Sequence, residues 1–86
     1  MLRLTVSPGG SGETILQVDG WLTGDDVELL KRERTRNLAT GASLVLDLKG
    51  LRFADRAGAE LLRGWSRGGV ELLNASPFVQ CLIDDR

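Results

Sequence analysis

The chain has 86 residues, 42% of them apolar and 27% charged, with a formal net charge of −1. This is an ordinary globular composition for one small domain, and the charge excludes a polyanion binder driven by bulk electrostatics. With no histidine or tyrosine and one cysteine, the commonest acid–base group, the commonest nitrogen metal ligand and an intrachain disulfide are all missing. No CxxC, HExxH, GxSxG or P-loop pattern occurs, so the chain is expected to be non-catalytic and to need no cofactor.

The first residues alternate, with Leu2, Leu4 and Val6 on one face and Arg3, Thr5 and Ser7 on the other, which predicts a half-buried strand. Pro8-Gly9-Gly10-Ser11-Gly12 is a flexible connection; with no lysine and no helix directly behind it, it does not read as a phosphate cradle. Thr14 to Val18 is a second strand, antiparallel to the first. Asp19 to Gly24 then turns the chain into a helix, leaving Trp21 in an exposed loop as a candidate interface anchor. Thr23 and Asp26 have the spacing of a capping arrangement, and Asp25 and Asp26 suit the positive end of a helix dipole. For Thr23 a capping role is favoured over that of a phosphoacceptor.

Val27, Leu30 and Leu38 share the apolar side of this first helix, with Arg34 interrupting the stripe on a packed aliphatic stem. Lys31, Arg32, Arg34 and Arg36 read as a solvated basic face moderated by Glu28 and Glu33, rather than as a docking patch. Gly41 ends the helix. Residues 43–48 carry too many adjacent apolar side chains for an edge and are expected to be a central strand, broken at Gly50. Gly58, Leu61, Leu62 and Trp65 recur at helical spacing. Gly58 costs helix propensity there, about 1 kcal/mol against alanine, and its expected benefit is close approach to the sheet or a neighbouring loop. Val70 to Leu73 is a fourth strand. Ser76 and Pro77 form an N-cap and first helical position. Phe78, Val79, Leu82 and Ile83 give the last helix its apolar side, among which Cys81 is expected as a small buried hydrophobe, before the charged end Asp84-Asp85-Arg86.

The predicted order is β-β-α-β-α-β-α over a single domain, residues 1–86. The expectation is an α/β fold, a small mixed sheet of about four strands with helices mainly on one face. No apolar run approaches the ~18 residues needed to span a bilayer. Without a charged-then-apolar leader either, a bacterial, cytoplasmic protein is the default expectation.

The stretch from Ser43 to Leu62 resembles the signature of the STAS family, the domain of anti-sigma factor antagonists and of sulfate-transporter tails. Members typically place an aspartate at the end of a strand and, after a few residues, an apolar-Asp-Ser-Ser-Gly-Leu run opening a helix. Here the strand residues Leu44, Val45 and Leu46 lead into Asp47, and the run is Phe53-Ala54-Asp55-Arg56-Ala57-Gly58-Ala59. Gly20-Trp21-Leu22 is similar to a Gly-x-Leu-Asp element, with Thr23 where aspartate is usual. Val70 to Ile83 resembles the family's last strand, small-Pro turn and helix.

The resemblance implies a non-catalytic protein-binding module, an anti-sigma factor antagonist or related adaptor whose partner is a serine kinase-like anti-sigma factor. An accessory STAS subunit docking on the ATPase of a lipid transporter is the alternative, and a small-ligand or nucleotide-binding domain the second. The implied partner surface is Ala54, Asp55, Arg56, Ala57 and Gly58 beside Thr23 and Gly24. Arg56 and Ala57 occupy the positions of the phosphoacceptor hydroxyls, and neither can carry phosphate. Asp55 reads as the helix N-cap, and Asp47 as an acceptor for loop amides.

Overall fold

The computed structural model describes residues Leu2–Asp84; Met1, Asp85 and Arg86 lie outside the described residues. Five strands and three helices follow one another as β1 (Leu2–Pro8), β2 (Thr14–Leu22), α1 (Val27–Leu38), β3 (Leu44–Asp47), β4 (Leu51–Ala54), α2 (Arg56–Arg67), β5 (Glu71–Leu73) and α3 (Pro77–Asp84), with a 3-10 turn at Gly24–Asp26 ahead of α1. The sheet order is β1-β2-β3-β5, and β4 also pairs with β2. Only β1 runs antiparallel to its neighbour, from Leu2 opposite Gly20 to Pro8 opposite Thr14. β3 and β4 both lie parallel to β2, as successive partners along its length, and β5 lies parallel to β3.

This register decides which side chains meet. Because side chains alternate across a strand, Leu16, Val18 and Leu22 of β2 face the core with Leu46 of β3 and Ala54 of β4. Leu30, Leu62, Trp65, Val79 and Ile83 close the core from the helices, and Leu30, Leu62 and Val79 are fully buried. The helices pack on one face of the sheet, with α2 also touching α1 and α3 and with α3 against β4.

The predicted sequence of elements is present, with one strand more than expected. β4 is four residues long and its pairing with β2 shifts register between Gly20 and Trp21, so it shows no periodicity of its own. β2 correspondingly continues to Leu22, past a positive-φ Gly20, and Trp21 belongs to a strand rather than a loop. Its predicted exposure holds.

Four apolar positions sit differently from expectation. In α1 the inward positions after Leu30 are Arg34 and Asn37, leaving Leu38 exposed; Asn37 is buried and donates from Nδ2 to the Ala42 carbonyl at 2.9 Å. Arg34 lays its guanidinium 5.2 Å from the centre of the Trp65 ring. Val6, on the same edge strand as the partly buried Leu2 and Leu4, is exposed and borders a shallow apolar cavity of about 150 Å³ under the end of α1. In α3, Val79 and Ile83 point inward one turn apart, which turns Cys81 and Phe78 to the surface.

Candidate interaction site

The site begins with parallel pairing. Leu22 is the partner of Ala54 and accepts the Asp55 N–H on its carbonyl at 3.0 Å. The segments leaving the two strands, Thr23-Gly24 and Asp55-Arg56, therefore emerge side by side at the C-terminal ends of parallel strands. In open α/β sheets this is where binding sites collect, because the chain there turns into helix N-termini.

Asp55 ties the two segments together. It has extended backbone angles, as an N-cap requires. Its Oδ1 accepts the N–H of Gly58, three residues on, at 2.8 Å, and its Oδ2 accepts the N–H of Gly24, thirty-one residues away, at 2.8 Å. One carboxylate thus caps α2 and pins the turn that leads to α1. The amides of Gly58 and Gly24, with a smaller contribution from Ala57, hold the Asp55 carboxyl below its usual pKa, outweighing a desolvation effect of opposite sign. Charge-assisted bonds of this kind are stronger than neutral ones.

Glycine at 58 follows from the same proximity. A β-carbon there would stand 2.7 Å from the Leu22 carbonyl oxygen and 2.8 Å from Leu22 Cγ. The first turn of α2 rests directly on the end of β2, as the expectation of close approach required. Gly24 is less constrained, since a β-carbon on it would meet Ala57 Cβ at an ordinary 3.5 Å. Thr23 has its N–H and its hydroxyl both donating to Asp26 Oδ2 at 3.1 Å, a short cap of the 3-10 turn. Asp47 accepts the Lys49 N–H at 3.0 Å and the Asn74 side-chain amide at 3.1 Å, which bears out its expected role.

The predicted residues are brought together but do not all reach solvent. Ala54 and Gly58 are buried and serve as scaffold, whereas Gly24, Arg56 and Ala57 are exposed and Thr23 and Asp55 half-buried. The Arg56 side chain is 93% exposed, its Nε 3.2 Å from Glu60 Oε1. An exposed i,i+4 pair of this type contributes only about 0.3–0.5 kcal/mol, so the guanidinium can change partners at little cost. Beside it, Ala54, Asp55, Arg56, Ala59, Glu60, Arg63 and Leu82 line an open groove of about 430 Å³. Arg63 forms its wall by donating to the Leu82 and Ile83 carbonyls at 2.9 and 3.0 Å, joining α2 to the end of α3. Nothing in the sequence singles out Arg63, because its acceptors are backbone groups twenty residues away.

Among the described residues no cluster of histidine, cysteine or acidic side chains could hold a metal ion, and no helix is long and apolar enough to cross a membrane. The arrangement offers a fixed surface with the exposed Arg56 guanidinium, held only by Glu60, at its edge.

No protein-family model and no curated protein matches the chain. Solved structures do. The chain is similar to the anti-sigma factor antagonist SpoIIAA in its unphosphorylated form, with a TM-score of 0.69 at 22% identity, covering 91% of this chain and 78% of that one. It is also similar to an antisigma-factor antagonist STAS domain from Rhodobacter sphaeroides, with a TM-score of 0.60 at 19% identity over 90% of this chain and 94% of that one. A protein of the DUF3478 family with a SpoIIAA-like fold, from Shewanella loihica PV-4, matches with a TM-score of 0.60 at 14% identity over 90% of this chain and 69% of that one. The fold is that of STAS domains and anti-sigma factor antagonists.

Proposed function

We propose that this chain is a non-catalytic protein-binding module of bacterial cytoplasmic regulation, similar in action to an anti-sigma factor antagonist, and that it works without a phosphoserine switch in its signature loop. The observation that carries the reading is the Asp55 clamp. It holds the Thr23-Gly24 and Asp55–Ala57 turns in one rigid surface and leaves Arg56 at its outermost point. A preformed surface loses little conformational entropy on association, which suits it to the recognition of a partner.

Phosphorylation at a helix N-terminus inside an interface changes a partner's contact surface by about two negative charges. The similar SpoIIAA structure is of that protein in its unphosphorylated form. Here the loop ends in Arg56 and Ala57, which carry no hydroxyl. Arg56 also has the opposite charge to a phosphoserine, so it does not imitate the modified state. Its planar fork is suited to a partner carboxylate.

The test is affinity for the protein that co-purifies with the chain from its host, identified by mass spectrometry. Arg56→Glu should abolish binding and leave the circular dichroism spectrum unchanged, because the side chain is in solvent and a glutamate suits a helix N-terminus. Unchanged affinity would refute the site. A kinase-like partner supports the regulatory reading; a transporter ATPase would replace it with the accessory-subunit alternative.

A further inference from the structure

Three of the chain's four aromatic residues meet at its surface, where the start of α3 lies beside β4. Trp21 from β2 and Phe53 from β4 are paired in register on the outer face, with ring centroids 6.2 Å apart and edge-to-face. Phe78 from the start of α3 stacks on Phe53 at 6.4 Å. Trp21, Phe53 and Phe78 are 55%, 39% and 53% exposed. Isolated exposed apolar residues are unremarkable, but large aromatic side chains from three elements stacked in the open form a contiguous patch of the kind that marks interfaces.

The surroundings of the patch carry an excess of positive charge. Arg3 lies across from Asp19 on the outer face, and Lys49 and Arg52 line a shallow depression with Asp19 and Ser76, next to the aromatic residues. Asp19 takes a hydrogen bond from the Gln17 amide at 3.3 Å, and Asp47 is engaged by Lys49 N–H and Asn74. Among the described residues none of Arg3, Lys49 and Arg52 is in a salt bridge. A chain of net charge −1 thus presents unpaired cations around its largest exposed aromatic cluster.

We propose that this patch docks a protein segment bearing an aromatic or aliphatic anchor flanked by carboxylates. The inference rests on the reading of the chain as a partner-binding module and extends its surface from Arg56 onto the outer sheet face. The anchor would lie against Trp21, Phe53 and Phe78, and its carboxylates would pair with Arg52 and Lys49. Single-stranded nucleic acid would use the same stacking, but Asp19 and Asp47, set among the cations, repel a continuous polyanion and leave room for separate carboxylates.

The experiment is selection of displayed random peptides on the full chain, with counter-selection on the Trp21→Ser/Phe53→Ser variant, followed by titration of the enriched peptide. Trp21 reports the contact directly by a blue shift of its emission, while Trp65 is buried and supplies a constant background. The expected result is an acidic-apolar consensus whose affinity falls about tenfold or more in Phe53→Ser and in Arg52→Glu. No such consensus, or equal binding to the variants, overturns the proposal. An oligodeoxythymidine that competes for the patch would replace it with nucleic-acid binding. A concentration-dependent dimer lost in the double variant would replace it with self-association. If Arg56→Glu loses the co-purified partner and Trp21→Ser/Phe53→Ser keeps it, this inference fails and the Arg56 site stands; if both keep it, both fail.

Discussion

Gly58 and Gly64 lie six residues apart on α2, yet alanine should act on them in opposite directions. At 58 the new β-carbon would stand 2.7 Å from the Leu22 carbonyl oxygen and 2.8 Å from Leu22 Cγ. Carbon atoms in favourable contact are about 3.5–4.0 Å apart, so something must move by close to an ångström. The carbonyl cannot swing aside without giving up the Asp55 N–H it accepts at 3.0 Å. Overpacking of this kind costs about 1–3 kcal/mol, against at most about 1 kcal/mol returned by alanine's helix propensity. Gly58→Ala should therefore destabilise, by up to about 2 kcal/mol. At Gly64 a β-carbon meets nothing within 4 Å, so only the propensity acts and Gly64→Ala should stabilise by about 0.8–1 kcal/mol. In urea, with a slope of about 1 kcal/mol per molar for so small a domain, the midpoint should fall by up to about 2 M in the first variant and rise by about 1 M in the second. Equal stabilisation by both substitutions would refute the contact between α2 and the end of β2, and with it the geometry assigned to the site.

Asp55 should make stability depend on acid. Its folded-state pKa is depressed by the Gly58 and Gly24 amides, so folding favours the ionised form. That contribution is complete above the ordinary aspartate value of about 3.9 and is lost as the pH falls towards the lower folded value. Wild type should accordingly exceed Asp55→Asn in stability at neutral pH, the gap closing below about pH 4; a gap independent of pH would exclude the ionised clamp. Leu46, fully buried in β3, should cost about 2–5 kcal/mol on replacement by alanine, much of the stability available to a domain of this size. A melting temperature lowered by only a degree or two would mean that β3 is not central.

The sequence alone determines the elements whose signals are local. Alternation in Leu2–Val6, the apolar run from Leu44, the stripe Leu61, Leu62 and Trp65, and the caps at Asp55 and Ser76 depend on neighbours within one or two turns, and each is found where the residues indicate. The resemblance of Ser43–Leu62 to the STAS signature placed Asp55 and Arg56 together at a helix N-terminus, which the structure bears out.

What only the tertiary structure decides is whatever depends on pairing between distant segments. β4 exists because β2 continues to Leu22 and supplies its partner, and its burial, with Leu51 and Ala54 in and Arg52 and Phe53 out, does not follow strand alternation. The second half of the Asp55 clamp needs Gly24, thirty-one residues back, brought to 2.8 Å by the parallel register. Phe78 reads as core from its apolar character, and Cys81 likewise, because hydrophobicity states a preference for burial and not the face a residue will occupy. That face is set by where the sheet ends and by which turn of α3 touches β4, and it leaves three stacked aromatic rings in solvent.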